Sequence, residues 1–334
     1  MHPDLESATR RRGGVFTVAD ARRAGLRADE IRSAVSSGAW HRLRRGVFTP
    51  ASRWAAADDD RARHLLAAAA ALAVLGSGPV LSHSSAARFH GFVLPHRADD
   101  VVRLTHADQW RTGRGYRVAA ASLPAGDVLR TGDLPVTGAA RTLVDCAREW
   151  ALTDAVVAID AAIQEKRVRR ADLVAAVLQQ SHWLGIGAAA RALDLSDGRA
   201  ESPLETLGRL ALQDAGLPRP ELQVELHGPR GFVARVDAWY DDAGIAVEFD
   251  GQIKYRDPRG GRTPAEVAWK EKRREDQVRD LDARVVRVVQ KDLPRLDAPA
   301  GRIRELMARP APGPRRYRVV RAPEPDGNPD DAAA

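Results

Sequence analysis

The sequence predicts an α+β protein built from more than one domain. The chain has 334 residues, of which 44% are hydrophobic, so it is long enough for at least two buried cores. Its pattern changes along its length, from a basic helical segment at 1–57 to a mixed α/β region at 58–197. An α-β-β-β-α-β pattern follows at 198–308. The last region, 309–334, contains six prolines and is predicted to be a disordered tail.

The charge distribution predicts a polyanionic partner for the N-terminal segment. The formal net charge is +7 at pH 7. Residues 1–57 hold eleven Arg against five acidic residues, a net charge of +6, which leaves only +1 for the other 277 residues. Arginine-rich coding in a high-GC genome explains the residue type but not its clustering.

The single cysteine and the hydropathy pattern predict a cytoplasmic protein without a membrane partner. Cys146 is alone, which excludes an intramolecular disulfide and a multi-cysteine metal site and fits a reducing compartment. The most apolar run, residues 65–75, is too short to span a bilayer, and no signal peptide opens the sequence.

The basic segment has the pattern of a winged helix-turn-helix. Thr17 can cap a helix over 18–24, and a second helix fits 28–37 between glycine-containing turns. A basic β-ribbon follows at 40–48. In such a domain the second helix enters the major groove and the wing follows the DNA backbone. The predicted DNA contacts are Arg27 and Arg32 at the second helix and Arg42, Arg44 and Arg45 in the wing. The alternative is a helical hairpin with a solvated basic face.

This segment resembles the N-terminal winged-helix domain of AbiEi-type antitoxins from type IV toxin–antitoxin systems. The resemblance rests on residues 14–17, the helix pair and residues 43–48. It implies operator DNA binding, autoregulation and a cognate toxin as partner. The middle region resembles the continuation of such proteins at 82–87 and 135–142, and we interpret it as a scaffold or partner surface.

The middle region shows no pattern typical of catalysis. Helices are predicted at 64–75, 141–150 and 153–165. Ser and His residues cluster at 82–85, but neither a carboxylate nor a G-x-S-x-G turn accompanies them. We interpret that cluster as a Ser-capped helix with surface histidines.

Residues 233–251 predict a β-hairpin that brings carboxylates together. Two apolar-rich runs flank a turn at 241–244. A two-residue and a four-residue loop give the same register, in which paired residue numbers sum to 485, so Asp237 lies opposite Glu248. A three-residue loop would break this pair. Alternation places apolar residues on one face, and Arg235, Asp237, Trp239, Ala246, Glu248 and Asp250 on the other.

Opposed carboxylates repel each other, and a hard cation with oxygen ligands turns that repulsion into attraction. The sequence therefore predicts Mg²⁺ or Mn²⁺ at Asp237, Glu248 and Asp250, an ion that could activate water and neutralise a phosphodiester. The alternative is a solvated polar face on which Arg235 pairs with one of the acids.

The elements around the hairpin resemble the PD-(D/E)XK nuclease superfamily, near its very-short-patch-repair branch, and so predict a restriction-endonuclease-like domain. The resemblance rests on residues 202–205, 235–237, 247–251, Lys254 and 271–276. It implies that Asp237 and Glu248 bind the metal and that Glu205 is an acid near it, although a helix capping box also explains Glu205. The superfamily's lysine position holds Asp250, so that role passes to Lys254 or Lys272. Lys272 and Arg274 are predicted to contact DNA.

Three functional hypotheses follow. The first is a metal-dependent DNA endonuclease that a winged helix targets, in a toxin–antitoxin or phage-defence setting. The second is a non-cleaving DNA-binding antitoxin or regulator with a degenerate nuclease fold. The third is a protein-interaction scaffold.

Overall fold

The structure, a computed structural model, describes residues 2–131, 134–251, 277–310, 315–323 and 325. It divides into two compact units, one of residues 1–158 and 171–193 and the other of residues 159–170 and 194–334. No helix among the described residues is long and apolar enough to cross a membrane. The four-part division made from the sequence stays a prediction.

The first 50 residues form the predicted winged helix. Thr17 caps α2: its hydroxyl accepts from the Asp20 amide at 3.2 Å, and the Asp20 carboxylate accepts from the Thr17 amide at 2.8 Å. The basic ribbon is a hairpin that turns at Arg45 and Gly46, where Gly46 has a φ of 75°. The three strands pair in the order β1-β3-β2. The elements are α1 (Pro3–Arg11), β1 (Phe16–Thr17), α2 (Val18–Arg23), α3 (Ala28–Ser36), β2 (Trp40–Arg44) and β3 (Val47–Pro50).

A six-stranded mixed sheet organises the region that follows. Its strand order is β6-β7-β5-β4-β9-β8, and helices α5 and α6 pack against it. Its helices are α4 (Ala51–Ala56), α5 (Asp60–Leu75), α6 (His83–His90), α7 (Ala139–Ala147), α8 (Leu152–Gln164), α9 (Arg170–Gln179) and α10 (Ile186–Leu195). Its strands are β4 (Val80–Leu81), β5 (Val102–His106), β6 (Arg111–Gly113), β7 (Tyr116–Ala120), β8 (Val128–Thr131) and β9 (Leu134–Thr137).

The prediction of surface histidines at the start of α6 is wrong for His83, which is buried. Its φ is 48°, and its Nδ1 lies 2.9 Å from the Ser82 hydroxyl. His64 of α5 is also buried, with Nε2 2.7 Å from the Ser85 hydroxyl. Neither burial could be predicted from the sequence, because His83 lies beside Glu149 and His64 beside Ser85, which are distant in the chain.

Acidification is expected to destabilise the first unit through His64. Burial and the positive charge of Arg88 lower the pKa of His64 from 6.5 to about 4. Between these values the unfolded chain binds a proton that the folded protein does not, so the free energy of unfolding falls by about 3 kcal/mol as the pH drops. Urea unfolding at pH 7 and pH 4.5 measures this fall. His64→Gln is expected to reduce it, and an equal fall in wild type and variant would exclude His64 as its source.

The second unit contains a five-stranded sheet in the order β13-β12-β11-β10-β14, in which β12 and β13 are parallel and the other pairs antiparallel. The hairpin has the register predicted from the sequence, in which paired residue numbers sum to 485, because Ala238 pairs with Val247 and Tyr240 with Ile245. Residues 252–276, which include Lys254 and the motif at 271–276, lie outside the described residues, and residues 277–279 are helical. The elements are α11 (Pro203–Asp214), β10 (Glu221–Gly228), β11 (Gly231–Tyr240), β12 (Ile245–Asp250), β13 (Arg284–Val289), β14 (Arg318–Val320) and a helix, here α12 (Asp297–Met307).

The prediction that one face of the hairpin is polar is wrong, because both faces are packed. Trp239 and Ala246 are fully buried in a core that also holds Val236. The reason lies in β10, where Gln223 has a φ of 51° and interrupts the strand's alternation. On one side of Gln223, Leu222 packs against the face of the sheet where Ala238 is buried. On the other side, Val224 packs in the core that holds Val236, Trp239 and Ala246.

The predicted disordered tail is wrong for residues 315–323. Strand β14 pairs antiparallel with β10. The Tyr317 ring meets the Trp239 ring edge-on, with centroids 5.5 Å apart, and Arg315 pairs with Asp241 at 3.0 Å. The aromatic and charged contacts fix a segment whose proline content alone predicted disorder. Residues 311–314, 324 and 326–334 lie outside the description.

Candidate DNA interface and carboxylate cluster

Helix α3 presents a polar side to solvent and an apolar side to the core. Ile31 is buried in the winged-helix core, while Arg32, Ser33 and Ser36 are exposed. This alternation follows from the 3.6-residue period of the helix. These three side chains are two hydroxyls and one guanidinium, which are groups that hydrogen-bond to base edges and phosphates, whereas the exposed Asp29 and Glu30 of the same helix are acids.

Arg27 lies at the start of α3 and is paired with the acids of its first turn. Its guanidinium is 3.2 Å from the Asp29 carboxylate and 3.9 Å from that of Glu30. The hydrogen bond to Asp29 raises the pKa of Arg27 and lowers that of Asp29. Arg27 would have to leave these partners to bind a phosphate.

The wing residues divide into two roles. Arg42 and Arg45 are exposed. The Arg44 guanidinium instead donates to the carbonyl oxygens of Arg114 at 2.7 Å and Gly115 at 3.2 Å, and it lies 5.2 Å from the centre of the Tyr116 ring. Burial lowers the pKa of Arg44. The prediction of Arg44 as a phosphate contact therefore needs correction, since its donors are used within the protein.

In the second unit, Glu205 is a buried carboxylate near Asp237. Its Oε1 accepts from the Ser202 hydroxyl at 2.8 Å, and its Oε2 accepts from the Glu201 amide at 2.8 Å and from Gln223 at 2.9 Å. Burial raises the pKa of Glu205, and the negative charge of Asp237 raises it further. Sequence reasoning did not identify Gln223 as a partner of Glu205, because no sequence pattern indicated its left-handed backbone.

The hairpin carboxylates each have a protein partner. The Asp237 Oδ2 accepts from the Phe249 amide at 2.8 Å, and Asp250 is buried with Oδ2 3.0 Å from the Arg287 Nε. Glu248 is half-buried and lies in register with Arg287 of β13.

The carboxylates do not gather into a single cluster in the described parts of the second unit. Across the described ranges, no group of three or more His, Cys, Asp or Glu side chains is placed to hold a metal ion. The predicted convergence of Asp237, Glu248 and Asp250 is thus not observed, because Asp250 faces Arg287. Lys254, Lys272 and Arg274 lie outside the described residues.

Two uncharacterized proteins of Mycobacterium tuberculosis are similar to part of the chain. They are MT2308 of strain CDC 1551 / Oshkosh and Rv2248 of strain ATCC 25618 / H37Rv, each 40% identical over 114 residues. Each alignment covers 34% of this chain and 42% of the relative, so the chain spans less than half the length of the relatives it matches. The crystal structure of the RV2827C protein from Mycobacterium tuberculosis aligns with a TM-score of 0.38 and 19% identity, over 61% of this chain and 78% of that one.

A family match covers the winged helix. Residues 4–51 match the family described as transcriptional regulator, AbiEi antitoxin. These residues extend from α1 through β3 to the first residue of α4, and they include residues 14–17 and 43–48, which carry the AbiEi resemblance. The match confirms the AbiEi resemblance for this segment, and the helices and strands described for residues 4–51 fit a winged helix.

Proposed function

We propose that the chain binds duplex DNA through its winged helix and acts as a transcriptional regulator in an antitoxin setting. The observation that carries the proposal is the exposure of Arg32 on α3 and of Arg42 and Arg45 on the wing, within a domain that matches AbiEi regulators. A cognate toxin is the protein partner that this setting implies.

The geometry assigns these side chains different tasks. Arg32, Ser33 and Ser36 lie on the exposed side of α3, which a winged helix places in the major groove. Arg42 lies on β2 and Arg45 lies in the wing turn, and both are assigned to phosphates. The acids of the first turn, Asp29 and Glu30, disfavour a phosphate at the start of α3.

Removing the three exposed arginines is expected to weaken duplex binding. Because each lost phosphate contact lowers the salt dependence, Arg32→Ala/Arg42→Ala/Arg45→Ala should reduce affinity about 100-fold and the slope of log K against log salt by about 2, from the two phosphate contacts of Arg42 and Arg45. Fluorescence anisotropy with a labelled mixed-sequence duplex, from 50 to 200 mM NaCl, measures both.

The matched control removes three charges elsewhere. Arg97, Arg191 and Arg230 are exposed residues outside the winged helix, and their joint replacement by Ala is expected to change affinity much less. Equal affinities of the test triple and wild type would overturn the assignment of the DNA interface.

A second candidate function is metal-dependent phosphodiester hydrolysis by the second unit. It is favoured by the hairpin register, which matches the one that sets Asp237 opposite Glu248, and by the mutual repulsion of Asp237 and Glu205. Carboxylate oxygens suit Mg²⁺, and Asp237 and Glu248 are the proposed ligands, with Glu205 as an acid near them. The bound ion would activate water and neutralise phosphodiester charge. Asp250 is left out because Arg287 already pairs with it.

The test of this candidate uses the whole chain with Mg²⁺ or Mn²⁺ and supercoiled plasmid. Metal-dependent nicking that EDTA stops would support the hydrolase. Salt-sensitive duplex binding with no nicking in either metal would support only the regulator proposal and would overturn the hydrolase proposal.

A further inference from the structure

We propose that the β6–β7 hairpin is a second DNA-binding wing, fixed beside the first and contacting the duplex backbone. We call residues 110–117 the arginine hairpin. The inference rests on the proposed function and extends it, because it enlarges the DNA surface beyond the winged helix to an element of the sheet region.

Charge is the first support for this proposal. Residues 40–48 and 110–117 together hold six Arg and neither Asp nor Glu. In the arginine hairpin, Arg111, Arg114 and Arg117 are all exposed. Backbone phosphates are the partner that such an acid-free arginine surface fits best, since guanidinium groups bind phosphate oxygens in pairs.

The contacts of Arg44 are the second support, because they hold the two hairpins together. The Arg44 side chain leaves the wing and hydrogen-bonds the carbonyl groups of Arg114 and Gly115, which form the turn of the arginine hairpin. A half-buried arginine that satisfies two turn carbonyls costs side-chain freedom but restricts the position of both hairpins. The two hairpins therefore present their exposed arginines from one connected element.

The packing of Tyr116 makes this connection specific. The Tyr116 ring lies against Gly113, where a Cβ atom would be 2.3 Å from the ring carbon Cζ, so a larger residue at 113 would displace the ring. Arg44 covers the same ring. Tyr116 thus contacts Gly113 within the arginine hairpin and Arg44 of the wing.

The exposed surroundings fit a large partner. Trp110, at the start of the hairpin, is 72% exposed, an unusual state for a large aromatic side chain. β6 is the edge strand of its sheet, so nothing in that sheet covers its outer side. Charged residues also protect edge strands against pairing with other chains, and this simpler role is one outcome of the test.

The test compares wild type with Arg111→Ala/Arg114→Ala/Arg117→Ala on mixed-sequence duplexes of 12 and 24 base pairs. The shorter duplex has room for little more than the recognition helix and its wing. On the 24-base-pair duplex the triple variant is expected to lose about tenfold in affinity, with a salt slope lower by about 2. On the 12-base-pair duplex it is expected to stay within twofold of wild type.

Three further variants make the result specific. Arg44→Met removes the donors that join the hairpins while keeping a long side chain, and it is expected to lower affinity for the longer duplex. The Arg97/Arg191/Arg230 triple is the charge-matched control, and its affinities for the two duplex lengths are expected to differ by the same factor as those of wild type. An Arg→Gln triple on the arginine hairpin repeats the test if the Ala triple unfolds.

The outcomes separate this inference from the proposed function. If wild type binds neither duplex at low salt, the DNA-binding proposal itself fails. If wild type binds both and the hairpin triple matches it on both lengths, DNA binding stands and the arginine hairpin serves only to protect the sheet edge, which overturns the inference.

Discussion

Asp237→Asn is expected to reduce metal-dependent nicking at least about 1,000-fold while the protein stays folded, if the second unit is a hydrolase. The Asn side-chain oxygen can still accept the hydrogen bond from the Phe249 amide, which the Asp237 Oδ2 accepts at 2.8 Å. Only the negative charge is lost, and with it the attraction for Mg²⁺. Plasmid nicking and calorimetric Mg²⁺ titration measure the two effects separately.

The same variant is expected to be at least as stable as wild type without metal. The charge of Asp237 raises the pKa of the buried Glu205, so removing that charge relieves a repulsion and lowers the pKa of Glu205. A gain of roughly 0.5 kcal/mol in the free energy of unfolding is expected. In wild type, Mg²⁺ should raise the free energy of unfolding, and the variant should lose this stabilisation.

Asp242→Asn is the matched control for this experiment. Asp242 lies on the exposed turn of the same hairpin, and the substitution makes the same change of charge. Nicking and Mg²⁺ affinity should not change. If Asp237→Asn instead destabilises the metal-free protein and leaves Mg²⁺ binding intact, Asp237 has a structural role and the proposed metal site is wrong.

The features that sequence reasoning predicted correctly are those that local chemistry determines. The Thr17 capping box depends on residues three positions apart. The hairpin register depends on the turn at 241–244, where the Gly244 amide donates to the Asp241 carbonyl at 3.1 Å. In each case the interacting groups lie close in the chain, so their spacing alone restricts the geometry.

The features that the sequence could not give depend on contacts between distant residues. Arg44 and Arg45 are neighbours of the same type, yet Arg44 turns to carbonyl groups about 70 residues later while Arg45 stays exposed. Asp250 resembles a metal ligand in the sequence, but β13 brings Arg287 to its side. Tertiary packing decided both roles.

A buried ion pair in the second unit carries the largest expected effect on stability. Arg209 of α11 is fully buried and donates to the Asp160 carboxylate at 2.8 Å and to the Leu195 carbonyl at 2.7 Å. Asp160 also accepts from the Asp197 amide at 2.7 Å and from the Thr206 hydroxyl at 2.9 Å. The pair therefore connects α8, α11 and the loop after α10.

Arg209→Met is expected to lower the free energy of unfolding by about 3–5 kcal/mol, because it leaves the Asp160 carboxylate buried without its cation. Urea unfolding measures the loss. The double variant Asp160→Asn/Arg209→Met should lose less than Arg209→Met alone, since the unpaired charge is gone. Arg302→Met, which breaks the exposed Arg302–Glu305 pair on α12, is the control and should change stability by less than about 1 kcal/mol.

The pH dependence distinguishes an unpaired charge from a packing defect. Burial raises the pKa of Asp160 even beside Arg209, and removing the guanidinium raises that pKa further. In Arg209→Met the folded state then binds a proton that the unfolded chain has released, so the variant's stability rises as the pH falls from 7 towards 5. A stability deficit relative to wild type that narrows over this range identifies the Asp160 charge as the cause. A deficit that stays constant would assign the loss to packing and contradict the ion-pair explanation.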